Sequence, residues 1–315
     1  MAPIGLKLSS AFFGAETPVW SPFKWRGIDF KNPVGIAGGV DKNAEFVREW
    51  MRLGAGFVEI GTVTPRAQGP NPGTIILRDW DQKTLWNKMG FPNIGATEVA
   101  ANLRALHDSP HRVPLFVNLG RNRDTPNAEA VADFIDVAER TSDYADVFVL
   151  NVSSPNTQGL RNLQTSDCLK MTVLEFKAWQ KKTGRSQPLV VKLSPDLDLE
   201  QSKICLDVVV NAGGDGFILT NTTTRRRDKQ KWPVDGGLSG LEVSDLALQA
   251  LHSTVETLGK DYDGLIVSVG GVLSVDDIRE RLKLGADLVQ VYSALVFEGP
   301  LFFQKVGKEI GALHA

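Results

Sequence analysis

The sequence predicts an α/β protein in which eight parallel strands and eight helices form a closed (β/α)8 TIM barrel. Three observations support this prediction. Short apolar runs recur along the 315-residue chain. Most runs are followed by a segment with helical spacing, and the runs are apolar throughout instead of alternating with polar residues. Strands covered by helices outside and by packed side chains inside have this uniform character, although a doubly wound open sheet is an alternative.

The predicted elements alternate regularly along the chain, as parallel strands joined by helices require. Gly, Asn, Ser or Thr closes each apolar run, which places the strand ends. The predicted strands are 34–37, 56–60, 114–119, 146–152, 188–193, 215–220, 264–269 and 287–292. The predicted helices are 43–53, 94–107, 127–142, 165–182, 198–212, 242–258, 274–284 and 300–311.

Two stretches interrupt this alternation. Residues 62–93 contain four Pro and a potential hairpin, so we interpret them as an excursion after the second strand. Residues 221–241 form a second long connection, after the sixth strand. Its basic cluster is interpreted as a solvated loop because the protein as a whole is not basic. The cluster consists of Arg225, Arg226, Arg227, Lys229 and Lys231.

Composition excludes several classes of function. The 35 basic and 37 acidic residues give a formal charge of −2, so no global field attracts nucleic acid. Cys168 and Cys205 form no metal-ligand pattern with the four scattered histidines, and we expect neither a metal site nor a disulfide framework. Neither a membrane-spanning run nor a signal peptide is recognisable, so we expect a cytoplasmic protein.

Polar residues follow the predicted strands, at the face where the loops of a barrel converge. Asn, Thr, Ser and Lys dominate there, as in 151–157 (NVSSPNT) and 220–222 (TNT). Paired carboxylates, His and Cys are missing from these positions, so glycosidase, zinc and thiol chemistry lack their groups. The pattern predicts a flat ligand rich in heteroatoms, bound by amides and hydroxyls.

The last two predicted strands indicate a phosphate site. Gly270-Gly271 and Tyr292-Ser293 follow them, where barrel enzymes commonly bind phosphate. Dinucleotide and P-loop fingerprints are both absent, so a mononucleotide such as FMN fits better. Lys192 ends the fifth strand and could stabilise negative charge on a reduced flavin ring. The alternative is a structural lysine paired with a carboxylate.

Six motifs together resemble the dihydroorotate dehydrogenases. They run in order over more than nine-tenths of the chain, and the resemblance implies an FMN-containing barrel. Its implied reaction is the oxidation of dihydroorotate to orotate in pyrimidine synthesis. The motifs are 32–42 (NPVGIAGGVDK), 59–66 (EIGTVTPR), 87–91 (NKMGF), 151–161 (NVSSPNTQGLR), 220–223 (TNTT) and 236–240 (GGLSG).

The resemblance assigns the chemistry to Ser154. It implies that this residue is the general base that takes the C5 proton while the C6 hydride passes to the flavin. Thr157 and Phe91 would flank the water path by which the proton leaves. Soluble members that use fumarate or an NAD-linked partner have Cys at this position, whereas quinone-reducing members have Ser. Quinone is therefore the expected acceptor, with a soluble acceptor or a non-catalytic flavin scaffold as alternatives.

The resemblance also implies the binding residues. Dihydroorotate presents a carboxylate, ring carbonyls and ring N–H groups, which suit one cation and several amides. The implied substrate residues are Lys42, Asn87, Lys88, Met89, Gly90, Phe91, Asn151, Asn156, Asn221 and Thr222. The implied FMN residues are Gly38, Gly39, Lys42, Thr62, Asn118, Asn151, Lys192, Thr220, Gly240, Gly271, Tyr292 and Ser293.

We divide the chain into an N-terminal segment, 1–26, and a catalytic barrel domain, 27–315. Quinone-reducing relatives have a longer helical extension here, so part of it is expected to be missing. The segment is basic and aromatic, and Phe12, Phe13 and Trp20 are candidates to guide a quinone tail. Two interpretations stay open. One is an interfacial segment with weak, reversible association at the inner face of the cell membrane, and the other is an apolar strap packed over the barrel.

Overall fold

The computed structural model describes residues 3–11, 17–107 and 113–311. Within these residues, eight parallel strands form a closed barrel surrounded by helices, which confirms the predicted (β/α)8 fold. The strands are β1 (Phe23–Trp25), β2 (Ile28–Phe30), β3 (Val34–Asp41), β4 (Val58–Val63), β5 (Ile76–Asp79), β6 (Thr84–Asn87), β7 (Leu115–Leu119), β8 (Val147–Asn151), β9 (Leu189–Leu193), β10 (Gly216–Leu219), β11 (Gly237–Gly240), β12 (Leu265–Val269) and β13 (Leu288–Val291). The helices are α1 (Pro3–Ala11), α2 (Val47–Leu53), α3 (Ala96–His107), α4 (Ala130–Thr141), α5 (Ser166–Thr183), α6 (Leu199–Asn211), α7 (Leu241–Leu258), α8 (Val275–Lys283), α9 (Ser293–Phe297) and α10 (Phe302–Gly311).

The barrel strands follow chain order around the ring: β3, β4, β7, β8, β9, β10, β12 and β13. β13 returns to β3, with Val289 opposite Val34, so the sheet has no free edge. The strands β4, β7, β8 and β9 are buried along their whole length, which explains why their runs are predominantly apolar.

One end of the barrel is plugged by aromatic side chains. Phe30 of β2 packs against Phe57 and Phe116, with ring centroids 5.9 and 6.2 Å apart. β2 pairs with β1 in a hairpin whose strands lie on either side of the 26/27 boundary. These three-residue strands are too short to show a sequence period, so they were not predicted. We therefore expect a ligand to bind at the opposite end, where the carboxyl ends of the strands lie.

The excursion after β4 contains the predicted hairpin. β5 and β6 pair antiparallel, and β11 adds a third strand with Gly237 opposite Asn87. The region 221–241, predicted to be a loop throughout, therefore contains a strand that binds the excursion. Its basic side chains are mostly exposed and form ion pairs, as between Arg227 and Asp245.

The start of the first barrel helix was also predicted wrongly. α2 begins at Val47 and not at residue 43, and β3 continues through Asp41 instead of ending at residue 37. The Asp41 carboxylate accepts the backbone N–H groups of Glu45 and Phe46, both at 2.9 Å. These bonds keep the residues between β3 and α2 in a bend. The N–H groups of Glu45 and Phe46 bind the Asp41 carboxylate instead of the backbone carbonyls of a helical turn.

Candidate active site

A cavity opens at the carboxyl ends of the barrel strands, and we call it the strand-end cavity. Residues from the strand ends, the excursion and the long 221–241 connection line it together. Most of the site residues predicted from the sequence meet here. They are Gly38, Gly39, Lys42, Thr62, Asn87, Met89, Gly90, Phe91, Asn118, Asn151, Ser154, Asn156, Lys192, Thr220, Asn221, Thr222, Gly271, Tyr292 and Ser293.

Three predicted site residues lie outside the cavity lining. Lys88 forms an ion pair with Asp235 at 2.5 Å. Gly240 lies where β11 enters α7, and a Cβ there would stand 2.0 Å from the carbonyl oxygen of Lys83. Thr157 is buried, and its hydroxyl has no hydrogen-bond partner among the described residues.

Ser154 lies in the loop after β8 and is 5% exposed. Its Oγ accepts the backbone N–H of Asn156 at 3.2 Å. A donor aimed at this oxygen stabilises negative charge that develops when the hydroxyl loses its proton.

Phe91 also lines the cavity and adopts a positive φ of 54°, a conformation that is rare for a bulky residue.

Amide side chains from successive strand ends form one hydrogen-bonded network. Asn151 Nδ2 donates to Thr62 Oγ1 at 3.0 Å and to Asn118 Oδ1 at 3.1 Å. Asn221 Nδ2 in turn donates to Asn151 Oδ1 at 3.3 Å. An amide both donates and accepts, so this network can present either function to a ligand.

A second amide pair links the excursion to the loop after β8. Asn156 Nδ2 donates to Asn87 Oδ1 at 2.7 Å. Asn71 Nδ2 of the excursion donates to the backbone oxygen of Asn156 at 2.9 Å. The Oδ1 atom of Asn156 is buried without a partner among the described residues, so a ligand donor would satisfy it.

Behind the cavity wall lies a buried carboxylate that the sequence analysis did not select. Glu59 of β4 is fully buried, and its Oε1 accepts hydrogen bonds from Lys192 Nζ at 3.0 Å and Asn118 Nδ2 at 2.5 Å. Its Oε2 accepts one from Gln290 Nε2 at 2.6 Å. Lys192 is therefore both paired with a carboxylate and exposed to the cavity. The sequence did carry a sign of this buried cluster. It was a polar residue inside an apolar run, namely Glu59 in GFVEI and Gln290 in DLVQVY.

Lys42 supplies a cation at the cavity wall. Its Nζ donates to the backbone oxygen of Gly39 at 2.6 Å. Burial lowers the pKa of Lys42, and the negative charge of the adjacent Asp41 opposes this shift. Burial likewise raises the pKa of Asp41 to about 6. Asp41 is buried and Lys42 is half-buried, and of the two only Lys42 lines the cavity.

A larger cavity of about 530 Å³ lies beside the first, and we call it the N-terminal cavity. Leu6 of α1, Trp50 of α2 and Leu295 of α9 contribute apolar walls, and Arg78 of β5 contributes a cation. Helices α1 and α9 were not predicted, and only Gly39, Lys42, Asn87, Met89 and Tyr292 of this lining were among the predicted site residues. Trp20 belongs to the barrel core instead, and Phe12 and Phe13 lie outside the described residues.

Among the residues that the structure describes, no helix is long and apolar enough to cross a membrane. In 3–11, 17–107 and 113–311, no group of three or more His, Cys, Asp or Glu side chains is placed to hold a metal ion.

Comparison with known proteins identifies the family. A family model for dihydroorotate dehydrogenase matches residues 23–313. The chain belongs to the dihydroorotate dehydrogenase family. A member from Halorhodospira halophila, named dihydroorotate dehydrogenase (quinone), is 37% identical over 322 residues and covers 100% of this chain and 92% of its own. A Thermus thermophilus protein of the same name is 41% identical over 279 residues. The match covers 88% of this chain and 78% of that protein.

Solved structures agree with this membership. A ligand-free dihydroorotate dehydrogenase from Eimeria tenella has a TM-score of 0.87 at 31% identity, covering 97% of this chain and 92% of its own. The same enzyme in complex with ferulenol has a TM-score of 0.86 at 30% identity. The match covers 98% of this chain and 89% of that one. The resemblance to the quinone-reducing branch, predicted from the motifs and Ser154, is confirmed by the names of these relatives.

Proposed function

We propose that this chain oxidises dihydroorotate to orotate in pyrimidine synthesis, with FMN as hydride acceptor and a quinone as terminal acceptor. One observation carries the proposal. In a member of this family, a buried serine, a buried lysine and several amide side chains converge on one cavity at the strand ends. A scaffold that only bound flavin would not need this set of groups around the ligand.

The strand-end cavity fits a flavin mononucleotide. Gly38 and Gly271 line the cavity with backbone atoms only. A Cβ at Gly38 would stand 2.2 Å from Glu59 Oε1, and one at Gly271 would stand 2.4 Å from the Cα of Ser244, so packing against the protein excludes a side chain at both positions. The buried Oε1 of Gln290, which also lines the cavity, has no partner among the described residues. A backbone wall and an unsatisfied polar atom suit a heteroatom-rich ring and its phosphate.

Individual residues would hold different parts of the cofactor. Lys192 and Asn118 would face the polar edge of the ring, while Gly271 and Ser293 would offer backbone N–H groups to the phosphate. When bound, the flavin would supply the acceptor for the hydride from C6 of dihydroorotate. Lys192 would hold a cation beside the ring, where it would stabilise the negative charge of the reduced form and so favour reduction.

The remaining groups act on the substrate. Lys42 would bind the carboxylate of dihydroorotate, and Asn87, Asn156 and Asn221 would pair with its ring carbonyl and N–H groups. Ser154 would pass its own hydroxyl proton to the water path beside Thr157 and Phe91, and it would take the proton from C5 as the hydride leaves C6, so that the C5–C6 double bond of orotate forms. The N–H of Asn156 would stabilise the negative charge that Ser154 Oγ carries before the C5 proton is transferred.

The N-terminal cavity is the proposed quinone site. Its volume lies within the range of small-ligand pockets, and its walls are largely apolar. Arg78 can donate a hydrogen bond to a quinone carbonyl, while Leu6 and Trp50 pack against an isoprenoid tail. Tyr292 lines both cavities, so the quinone and the flavin would lie on opposite sides of one wall.

Weak membrane association is part of the proposal. Leu8 of α1 is 62% exposed, and Trp80 at the N-terminal cavity is 61% exposed. An exposed apolar side chain on α1 and an exposed aromatic side chain in the cavity lining suit an interfacial contact. Sedimentation with anionic liposomes tests it. A protein that stays wholly in the supernatant would show that the quinone is reached without membrane contact.

The experiment begins with the purified protein under anaerobic conditions. Dihydroorotate should bleach the flavin absorbance, and the released cofactor should be FMN, at one per chain. An acceptor panel of ubiquinone and menaquinone analogues, fumarate and NAD then identifies the oxidant. The absence of bleaching would overturn the proposed reaction, whereas bleaching followed by faster reoxidation with fumarate or NAD would overturn only the quinone.

A further inference from the structure

Arg161 is a part-buried arginine that binds two loops at once. It lies in the 3-10 helix Leu160–Gln164, which follows the loop after β8. Its Nε donates to the backbone oxygen of Ser153 at 2.9 Å, and its Nη2 donates to the backbone oxygen of Thr222 at 2.9 Å. One guanidinium thus connects the loop after β8 with the loop after β10.

Asp196 holds this guanidinium in place. Its Oδ2 lies 2.7 Å from Arg161 Nη1, and the two side chains are only 14% and 23% exposed. The Asp196 carboxylate also accepts the Thr223 hydroxyl, and it accepts the Thr224 N–H at 2.7 Å. Burial alone would raise the pKa of Asp196, but hydrogen bonds from Thr223, Thr224 and Arg161 together lower it. Asp196 follows β9, so the pair joins the loops of three adjacent strands.

The joined loops carry the proposed chemistry. Ser153 directly precedes the proposed base Ser154, and Thr222 directly follows Asn221. Asn221 Nδ2 also donates to Ser153 Oγ at 3.0 Å, which is a weaker, neutral link between the same two loops. Neither Arg161 nor Asp196 is among the residues that line the strand-end cavity. Any effect of the pair on the reaction must therefore pass through the residues that it positions.

We infer that Arg161, held by Asp196, is a positioning residue that fixes the proposed base loop against the proposed substrate loop. The inference rests on the proposed function, because it needs Ser154 to act as the base. A general base must lie within hydrogen-bond reach of the proton that it removes. Arginine suits this task because its planar fork can bind two carbonyls and a carboxylate together, which the single ammonium of lysine cannot do in the same geometry.

The test compares Arg161→Lys with a matched control, Arg185→Lys. Arg185 also binds one aspartate, with Nη1 2.7 Å from Asp143 Oδ1, but at the surface. Anaerobic stopped-flow mixing measures flavin reduction by saturating dihydroorotate, and a second mixing measures reoxidation by a small dye. Arg161→Lys should slow reduction by about 10- to 100-fold, the cost of displacing a reacting group by roughly 1 Å. Reoxidation should not change, and Arg185→Lys should stay within about twofold of wild type in both steps.

Two results would overturn the inference. One is a reduction rate for Arg161→Lys within about twofold of wild type. The other is an equal loss in reduction and reoxidation together with a reduced flavin content, which would indicate a general structural role. A failure of the proposed function is recognisable separately, because the wild-type flavin would then not be bleached by dihydroorotate at all.

A double-mutant cycle provides a second measurement. Asp196→Asn should also slow reduction, because one carboxylate oxygen becomes an amide donor facing other donors. If the pair acts as one unit, the rate loss of the double variant Arg161→Lys/Asp196→Asn relative to wild type should be smaller than the product of the two single-variant losses. Independent, multiplicative effects would contradict the inference. If Arg161→Lys does not fold, a normal reduction rate in Asp196→Asn contradicts it, and a slowed rate with normal reoxidation supports it.

Discussion

The strand-end cavity and the N-terminal cavity share one wall but are built in different ways. The first is lined by residues at the carboxyl ends of the barrel strands and in the loops that follow them. The second is enclosed by short elements outside the barrel, including α1, α9 and the β5–β6 hairpin. The shared wall consists of Gly39, Lys42, Asn87, Met89, Ser239 and Tyr292.

This difference separates the two halves of the proposed reaction. Residues of the strand-end cavity should control flavin reduction, and residues of the N-terminal cavity should control reoxidation by quinone. Variants of residues that line only one cavity should therefore spare the other half-reaction. The following predictions test that separation.

Ser154→Ala should produce the largest effect. Flavin reduction by dihydroorotate should slow by about 10²- to 10⁴-fold, which is the usual contribution of a positioned general base. Binding of FMN and orotate should persist, because the hydroxyl is replaced without a change in charge. Stopped-flow absorbance measures the rate, and Ser166→Ala, at an exposed position on α5, serves as the control. Wild-type reduction in the variant would remove Ser154 from this role.

Lys192→Ala should affect both stability and chemistry. It leaves the fully buried Glu59 without its cation, which should lower the free energy of unfolding by about 3–5 kcal/mol. Reduction should slow because the counter-charge is lost. The double variant Glu59→Gln/Lys192→Met should recover much of the stability measured in urea titrations, because it no longer buries an uncompensated charge. Its reduction rate should stay low, because it still lacks the cation. A double variant with wild-type reduction would show that the pair is only structural.

Deletion of residues 1–11 should impair only the oxidative half. It removes α1 and with it Leu6 from the N-terminal cavity, but it leaves the buried Trp20 in the core. Tail burial contributes about 0.8 kcal/mol per CH₂, so reoxidation by a long-tailed quinone should fall by roughly tenfold or more relative to a small dye. Reduction by dihydroorotate should persist. An unchanged ratio of quinone to dye reoxidation would identify α1 as a strap over the barrel.

The smallest effect is expected from thiol modification. Cys168 is exposed and Cys205 is buried, and burial raises the pKa of the Cys205 thiol to about 11. A thiol-reactive dye at pH 8 should therefore label Cys168 quickly and Cys205 only on unfolding. Both half-reactions should be unaffected, because neither cysteine lines the strand-end cavity or the N-terminal cavity. Rapid labelling of Cys205 would reveal opening of the helix layer around α6.

The sequence alone determined the barrel and most of the lining of the strand-end cavity. Runs such as 146–152 are apolar because strands inside a barrel are buried on both faces, and their ends carry ligand-binding residues because parallel strands end on one side. These properties are local in sequence, so Asn151 and Lys192 could be selected before their side chains were placed. The family motifs then assigned a role to Ser154.

The tertiary structure decided what depends on partners distant in sequence. Glu59 is one example. Its role as the partner of Lys192 depends on a contact between residues more than a hundred positions apart in the sequence. The N-terminal cavity is another, since α1 and α9 are too short for their periodicity to show where they pack. Arg161 is the third: its contacts join three loops that the barrel brings together, and residue spacing along one chain segment does not specify such contacts.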